Sequence, residues 1–349
     1  MVLLSIIVSV YNKKDYLNKC LSSLIEDDIG FQYEVILVDD GSTDGSGDIC
    51  DEYAAKYPVI SVIHTLNHGV SSARNTGINN ARGKWVTLVD ADDYLEDNAI
   101  NIMATILENH GNKNDIIYFD GFGDKNGKLI KNECYMEEGI DYSQPDEKEK
   151  LLRSAISIGN IPKGYNTVFS TGGVCCKLIR KSFLDQKALL YHEGVLFAED
   201  TLFSVNAIVY AKGIRYAPEF LYHYVLNADS VTNRYRQGLS KEMRTFFDEM
   251  LQVSEEHKEF DLNSAIMLRG FIEAQRCLRN EFYNPLNDDT NKNKKTKADE
   301  FLLQEPFYTA ISYYYQNGSP TKKIIAFLLK KRKYRLYVMI YRICKLYKV

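Results

Sequence analysis

Apolar and polar positions alternate with two different periods over the first hundred residues. Four stretches are continuous apolar runs rich in β-branched residues, the pattern of strands buried on both faces of a parallel sheet. These runs cover residues 3–10, 33–40, 59–65 and 85–92. Between them, apolar residues recur every three or four positions, as in "KKDYLNKCLSSLIED". The order of strands and helices predicts an α/β fold in which helices cover a parallel sheet.

Polar side chains stand at or directly after the ends of the first, second and fourth apolar runs. In a sheet of this kind, ligands bind beyond the carboxyl ends of the strands. The residues at these ends are Tyr11 and Asn12, Asp39 and Asp40, and Asp90 to Asp92. We therefore expect a ligand site at this edge of the sheet.

The pattern is less regular after the fourth run. Residues 115–123 predict a strand, "DKNGKL" a hairpin turn with Asn-Gly, and "DEKEKLLRSAISI" a helix. A glycine-rich loop within 170–184 leads into a helix, another helix begins near Glu199, and "GIRYAPEFLYHYVLN" predicts two short strands. From Ser240 onward the spacing is helical, except at 287–300, whose polar composition predicts a mobile loop.

Cysteine usage and the apolar runs narrow the class of protein. The seven cysteines include no CxxC pair, and the start "MVLLSIIVSVYN" has no basic segment before its apolar run. We therefore expect a cytoplasmic protein without a signal peptide. No uninterrupted apolar run approaches the roughly 18–20 residues of a membrane-spanning helix.

Basic residues are concentrated at one end of the sequence. Ten of the 43 lysines and arginines lie in residues 322–349, which contain none of the 47 acidic residues. The acidic remainder argues against a nucleic-acid partner. The tail interleaves basic residues with Ile, Leu, Phe and Tyr, which predicts one or two amphipathic helices on an anionic membrane surface. Alternatively, the tail docks on the acidic body of the protein or forms a homodimer contact.

Five blocks of sequence occur together in a fixed order. They are "SIIVSVYN", "EVILVDDGSTDGS", "HGVSSARNTGI", "WVTLVDADDYL" and "FAEDTLF". Over roughly residues 3–230 the chain resembles the family 2 glycosyltransferases, inverting enzymes with the nucleotide-sugar-binding fold called GT-A. The resemblance implies a Rossmann-like GT-A domain over 1–230, with a nucleotide-binding half (1–95) and an acceptor half (96–230). A helical C-terminal region would follow over 240–349.

The aspartates after the fourth run have the chemistry of a cation site. Mg²⁺ and Mn²⁺ prefer oxygen ligands and are often held by one or two carboxylates together with substrate phosphates. The resemblance implies that Asp92 ligates such a metal and that Asp90 lies near the ribose of the donor. Alternatively, Asp92 or Asp93 caps a helix that begins near Glu96, and Asp93 is the better candidate for that cap.

The resemblance places further residues beside the donor nucleotide. The ring of Tyr11 would stack on the base, with Asn12 in the same loop, although a tyrosine packed beneath a helix is an alternative. Asp40 would accept the N3–H of uracil or thymine, and Asp39 would be structural. Gly41 permits the tight turn that follows. Without the resemblance, the same block predicts only a strand, a turn and a helix with capping acids.

Two basic residues complete the implied donor site. Arg74 would lie beside the nucleotide, and Lys177 would contact a phosphate or the acceptor. For both residues the alternative is a solvated surface position. Family members often carry arginines where this chain has Val225 and Asn227, so we expect no cation from that strand at the diphosphate.

The block "FAEDTLF" carries the implied catalytic base. An inverting transfer is a direct displacement, in which the acceptor hydroxyl must lose its proton to a group on the face opposite the leaving diphosphate. The resemblance assigns that role to Asp200 and a supporting acceptor contact to Glu199. Alternatively, both acids stabilise the N-terminus of the helix that they begin.

The combined interpretation is an inverting, metal-dependent glycosyltransferase. It would move a hexose from a nucleotide sugar, with UDP as the expected nucleotide, to a hydroxyl of a growing glycan or lipid-linked saccharide. We expect it at the inner face of the membrane, in cell-surface polysaccharide or glycoconjugate synthesis. One alternative is a catalytically inactive relative that binds nucleotide or glycan. Another is a nucleotidyltransferase. That class would need a glycine-rich, basic phosphate loop after the first strand, and the segment there, "VYNKKDYL", has lysines but no glycine.

Overall fold

The computed structural model describes residues 2–26, 30–134, 136–157, 171–226 and 234–346. The chain divides into two compact units. The first comprises residues 1–155 and 160–227, and the second comprises residues 156–159 and 228–349. The residues expected to carry the chemistry all lie in the first unit.

The first unit is an α/β fold built on one sheet of nine described strands. The strands are β1 (Leu4–Val10), β2 (Tyr33–Asp39), β3 (Ile60–His64), β4 (Trp85–Asp90), β5 (Tyr94–Leu95), β6 (Ile116–Lys125), β7 (Lys128–Asn132), β8 (Lys177–Arg180) and β9 (Ile214–Val225). The helices are α1 (Lys14–Ser22), α2 (Ser46–Lys56), α3 (Val70–Asn80), α4 (Ala99–His110), α5 (Pro145–Ile156), α6 (Lys181–Lys187) and α7 (Glu199–Tyr210). The expected α/β class is confirmed.

The sheet is parallel in one half and mixed in the other. Its strand order is β3-β2-β1-β4-β8-β6-β9-β5, with β7 paired to β6. The strands from β3 to β4 are parallel, as their four apolar runs predicted. Beyond them, β8 is antiparallel to both β4 and β6, whereas β9 is parallel to β6. The carboxyl ends of β1, β2 and β4 therefore meet at one edge of the sheet.

The central strand β1 packs closely against α3. A Cβ on Gly77 of α3 would lie 2.3 Å from Ile7 Cγ2, so a residue with a side chain does not fit at this position. Ile7 is fully buried, as are Leu4, Ile6 and Val8 on the same strand. This close contact fixes the strand whose end carries Tyr11.

Two details of the mixed half differ from the sequence-based expectation. The two short strands expected around Pro218 are one strand, β9, whose pairing with β6 shifts register between Tyr118 and Gly121. Proline cannot donate to a ladder and is accommodated where the strand bulges. The loop expected before the helix at 181 contains β8, which at four residues is too short for a periodic signal.

The second unit is helical. Its helices are α8 (Leu239–Glu256), α9 (Asn263–Cys277), α10 (Asn291–Leu302), α11 (Phe307–Asn317), α12 (Pro320–Lys330) and α13 (Tyr334–Leu346), with a π-helical turn at Leu278–Phe282. Aromatic side chains form much of its core, with ring contacts among Phe246, Phe247, Phe301 and Phe307. The tail was expected to form one or two helices, and the structure has two, α12 and α13.

The prediction of a mobile loop at 287–300 is wrong, because most of this segment is helix α10. Thr290 caps the helix by accepting the N–H of Asn293 at 3.2 Å. Ala298, Phe301 and Leu302 are buried, so the helix is held by an apolar face near its C-terminal end. The expectation failed because the exposed lysines and asparagines hid this short face.

No helix in the described part of the chain is long and apolar enough to cross a membrane.

Candidate active site

The predicted ligand edge brings together the loops that follow β1, β2 and β4. In the sheet register, Val10 pairs with Asp39 and Ser9 pairs with Asp90. The residues that follow these strands therefore leave the sheet side by side, as the sequence pattern predicted.

The loops after β1 and β2 are joined by hydrogen bonds through Asn12. The Asn12 N–H donates to Ser42 Oγ at 3.1 Å, and Asn12 Oδ1 accepts the N–H of Thr43 at 2.8 Å. Asn12 has a φ of 51°, a left-handed conformation that asparagine tolerates well. Tyr11 is 45% exposed, so the alternative of a tyrosine buried under a helix is wrong.

Asp40 is buried and organises the loop before α3. Its Oδ1 accepts the N–H of His68 at 2.9 Å and the hydroxyl of Thr65 at 3.2 Å, and its Oδ2 accepts the N–H of Gly69 at 2.8 Å. A carboxylate offers about four acceptor positions, so one on Oδ2 remains. The neighbouring Asp39 accepts the N–H of Ser42 at 3.0 Å, which gives it the structural role expected.

The three aspartates at the end of β4 and just beyond it have three different environments. Asp90 Oδ1 accepts from Arg74 Nη2 at 3.1 Å, and Asp92 Oδ2 pairs with Lys13 Nζ. Asp93 is buried and accepts the hydroxyl of Tyr222 at 2.6 Å and the N–H of Val225 at 2.8 Å. Burial and the charge of Asp90 raise the pKa of Asp93 well above its usual range.

The helix-cap alternative for these aspartates is wrong. The helix that follows begins at Ala99 rather than near Glu96, and its N-cap residue is Asn98. Asp93 instead ties the β4–β5 loop to the end of β9. Of the two positions where family members often carry arginine, Val225 contributes its backbone to this contact, and Asn227 lies outside the described residues.

Arg74 is buried and joins two parts of the candidate site. Its Nη2 donates to Asp90 at 3.1 Å, and its Nη1 donates to Glu199 Oε1 at 2.9 Å. Its guanidinium carbon lies 5.1 Å from the ring centroid of Tyr191. The alternative of a solvated surface arginine is therefore wrong, since one cation holds a carboxylate from β4 and a carboxylate from α7.

Glu199 and Asp200 occupy the first turn of α7, where the helix dipole favours negative charge. Glu199 is held by Arg74, and Asp200 Oδ1 accepts the N–H of Thr201 at 2.7 Å. Both carboxylates are partly exposed. The helix therefore stabilises both charges, and this helix-terminal role is compatible with chemistry at Asp200.

Lys177 is buried rather than exposed, so the surface alternative is wrong. Its ammonium contacts the backbone oxygens of Thr171 and Gly173 and donates to Ser204 Oγ at 2.7 Å. Ser204 lies one turn after Asp200 on α7. In the described residues, Lys177 thus holds the loop before β8 against the helix that carries Glu199 and Asp200.

Sequence reasoning missed two partners in this site. Lys13 pairs with Asp92, and Tyr191 lies against Arg74. Lys13 had a signal, because it directly follows the "YN" that ends the first strand block. Tyr191 lies more than a hundred residues from Arg74 in a segment without a periodic pattern, so its position depended on the fold.

A divalent metal is compatible with the residues present but needs ligands beyond them. No group of three or more His, Cys, Asp or Glu side chains in the described ranges would hold a metal by itself. Mg²⁺ commonly uses only one or two carboxylates and takes its other ligands from water and phosphate. Asp92 is partly exposed beside a cleft of about 250 Å³ and fits this requirement.

The sequence profile described as glycosyl transferase family 2 matches residues 5–186. The chain belongs to this family. EpsH of Bacillus subtilis (strain 168) is 30% identical over 290 residues, which cover 80% of this chain and 77% of EpsH. Glycosyltransferase GlyA of Streptococcus pneumoniae serotype 4 is 44% identical over 100 residues, 29% of this chain and only 14% of GlyA. The family assignment thus makes the protein a glycosyltransferase.

The chain is similar in fold to residues 1–349 of S. aureus TarS. The structure of TarS in complex with UDP has a TM-score of 0.62 and 19% identity, and it covers 98% of this chain and 91% of the TarS chain. TarS has also been solved in complex with UDP-GlcNAc, with a TM-score of 0.61. At this identity the similarity concerns the fold.

Burial of Lys177 predicts a pH-dependent stability. Desolvation lowers the pKa of Lys177 to about 8, whereas an unfolded lysine titrates near about 10.4. Between these values the unfolded chain binds a proton that the folded chain does not, so this group makes the folded state more stable as pH rises. The free energy of unfolding of wild type should therefore rise relative to Lys177→Met between pH 8 and 10, by at most about 1.4 kcal/mol per pH unit.

Urea unfolding followed by the fluorescence of Trp85, the single tryptophan of the chain, reports on the first unit. Lys187→Met, at an exposed position of α6, is the control. Its free energy of unfolding should change with pH as that of wild type does. If the free energies of unfolding of wild type and Lys177→Met changed with pH in the same way, Lys177 would remain charged when buried.

Proposed function

We propose that this family 2 member is an inverting, metal-dependent hexosyltransferase that uses a UDP-sugar and a glycan hydroxyl. The observation that carries the proposal is the position of Arg74 between Asp90 and Glu199. Through it, the strand end proposed to bind the donor and the helix start proposed to bind the acceptor share one cation. Donor and base would therefore belong to one site.

The proposed donor site uses the loops after β1 and β2. The exposed ring of Tyr11 offers a stacking surface for the base, and Asn12 holds the shape of both loops. The remaining acceptor position on Asp40 would receive the N3–H of uracil. The UDP complexes of the structurally similar TarS support uridine as the nucleoside.

The proposed metal ligand is Asp92, with Asp90 on the ribose side. Bound Mg²⁺ or Mn²⁺ would supply positive charge for the departing diphosphate. Asp90 is paired with the buried Arg74, whereas Asp92 is paired with the partly exposed Lys13, so Asp92 is the carboxylate that we assign to the metal. Lys177 contacts both α7 and the loop that precedes β8. We therefore propose that it positions α7 and does not bind a phosphate of the donor.

The proposed chemical step is a single displacement with Asp200 as base. Asp200 takes the proton of the acceptor hydroxyl, and the acceptor oxygen forms a bond to the anomeric carbon. The bond from that carbon to the phosphate oxygen breaks, and its electron pair leaves with the diphosphate. Because the attack comes from the opposite face, the anomeric configuration inverts. Glu199 stays paired with Arg74, so the two adjacent carboxylates have different partners.

Asp92→Asn and Asp200→Asn should separate donor binding from catalysis. Loss of a general base lowers turnover by about 10²–10⁴-fold, so Asp200→Asn should lose activity to this extent and retain UDP binding. Asp92→Asn should lose both activity and the Mn²⁺-dependent part of UDP binding. Activity is measured as UDP release in a screen of UDP-sugars and acceptors, and binding by calorimetry with and without Mn²⁺.

Asp97→Asn, at an exposed position beyond the site, is the matched acid-to-amide control and should behave as wild type. Normal turnover by Asp200→Asn would refute the base assignment. Metal-dependent UDP binding without turnover on any acceptor would instead favour an inactive, nucleotide-binding relative.

We further propose that α12 and α13 bind an anionic membrane surface and thereby bring the protein to a lipid-linked saccharide at the inner face. One side of α13 is buried in the second unit through Tyr334, Tyr337 and Val338. Apolar side chains nevertheless remain exposed on both helices: Ile324, Phe327, Leu336, Met339, Ile340 and Ile343. Basic residues flank them, which is the composition of an interfacial helix.

Introducing negative charge into this apolar set tests the membrane proposal. The double variant Phe327→Glu/Ile340→Glu should lose binding to vesicles that contain phosphatidylglycerol, because it places charge where acyl chains would be contacted. Co-sedimentation with such vesicles, and with pure phosphatidylcholine vesicles, measures the effect. Asn317→Glu, exposed at the end of α11, is the control for added charge and should bind as wild type.

Unchanged sedimentation of the double variant would refute the membrane role. If the double variant instead converted a wild-type dimer to a monomer in light scattering, the exposed apolar set would be a contact between two copies of the chain.

A further inference from the structure

The cluster of aspartates after β4 lies next to a lysine that the proposed mechanism does not use. Lys13 lies between β1 and α1, and its Nζ pairs with Asp92 Oδ2. In the described part of the chain, Asp92 is the only acceptor that this ammonium contacts, and Lys13 the only cation that contacts Asp92. The carboxylate proposed to hold the metal is therefore neutralised by a side chain of the protein.

The backbone of Lys13 is held in place while its side chain has a flexible stem. Its N–H donates to Ser46 Oγ at 2.9 Å, which anchors the residue to the start of α2. The side chains of Lys13 and Asp92 are 34% and 28% exposed, so the pair is accessible to an incoming ligand. A lysine ammonium is a compact charge on a four-carbon stem and can move between acceptors more readily than a planar guanidinium.

The surroundings of Asp92 are rich in carboxyl groups, which gives this position a need for a cation. Asp90 and Asp93 lie within two residues of it in sequence, and Asp15 and Asp124 line the same cleft. The charges of Asp93, Asp92 and Asp90 add to burial in raising the pKa of the nearby Cys20 thiol.

The other cations near the cluster have different partners. Arg74 is shared by Asp90 and Glu199, and Lys19 donates to Asp124 at 3.3 Å while lying 3.5 Å from the ring centroid of Tyr94. The ammonium of Lys14 lies beside Gly45. Lys13 is thus the cation placed to serve Asp92.

We propose that Lys13 is a positioning residue that neutralises Asp92 in the donor-free protein and moves to the diphosphate when the metal and donor bind. The inference rests on the proposed function, because it takes Asp92 as the metal ligand. It has two consequences of opposite sign. Without nucleotide, Lys13 competes with the metal for Asp92 and weakens metal binding. With nucleotide, Lys13 has a second anionic acceptor and strengthens nucleotide binding.

Metal binding to the full chain without nucleotide tests the first consequence. Free Mn²⁺ is measured by electron paramagnetic resonance during titration of wild type, Lys13→Met and Lys14→Met. The free energy of a partly exposed ion pair corresponds to about a two- to five-fold change in a binding constant. Because Lys13→Met no longer has this competing ion pair, it should bind Mn²⁺ more tightly by about this factor. Lys14→Met removes the adjacent, exposed lysine and should match wild type.

UDP affinity at saturating Mn²⁺ tests the second consequence. Lys13→Met should bind UDP about tenfold more weakly, because a charge-assisted hydrogen bond to the diphosphate is lost. Lys13→Arg keeps the charge and should retain most of the affinity. A variant that was merely destabilised would weaken both ligands, whereas the proposal requires opposite changes.

Asp92→Asn distinguishes the failure of this inference from the failure of the proposed function. If Asp92→Asn bound Mn²⁺ and UDP as wild type does, the proposed metal ligand would be wrong. If Asp92→Asn lost Mn²⁺ while Lys13→Met bound Mn²⁺ as wild type does, the role of Lys13 would be refuted and the metal ligand would stand.

Discussion

The candidate site depends on one buried guanidinium that two carboxylates share. Arg74 is 5% exposed, and its contacts with Asp90 and Glu199 balance charges that would otherwise be poorly solvated. Breaking a buried pair leaves an uncompensated charge and typically costs about 3–5 kcal/mol. The contacts of Arg74 therefore hold the end of β4 and the start of α7 in a fixed relative position. In the proposed mechanism, this constraint aligns the leaving diphosphate with the base.

The three aspartates after β4 illustrate how one fold can give like residues unlike roles. Arg74 neutralises Asp90, Lys13 neutralises Asp92, and hydrogen-bond donors from β9 surround Asp93. Only Asp92 has a partner on a flexible stem together with exposure to a cleft. Like charges at this spacing repel, so each carboxylate requires its own solution. In the proposed metal role, an incoming cation would take the place of Lys13 at Asp92.

The strands and helices of the first hundred residues could be predicted because burial there imposes a simple period. β1, β2 and β4 are covered on both faces and read as continuous apolar runs, so their polar ends also marked the edge where Tyr11, Asp40 and Asp92 lie. The mixed half of the sheet was harder to predict. The bulge near Pro218 divided one strand into two apparent strands, and the four residues of β8 gave no periodic signal.

Partnerships between distant side chains could not be read from the sequence. The pairing of Arg74 with Glu199 joins residues 125 positions apart, and only the fold brings them together. The burial of Lys177 could not be predicted either, because its acceptors are two backbone oxygens and the hydroxyl of Ser204, none of which marks a lysine partner in the sequence. Helix α10 was missed for a related reason, since its buried face is confined to a few residues near its end. The roles of the site residues remain predictions that depend on chemistry in the bound state.

The configuration of the product tests the central claim most directly, because a single displacement with one base has only one stereochemical outcome. The protein would be supplied with a UDP-α-hexose that it turns over, and the anomeric proton of the transferred sugar would be followed by NMR from the first minutes of the reaction. The account predicts a β-linked product. An α-linked product would require a second displacement or a different face of attack, and would contradict the assignment of Asp200 as the base of an inverting transfer.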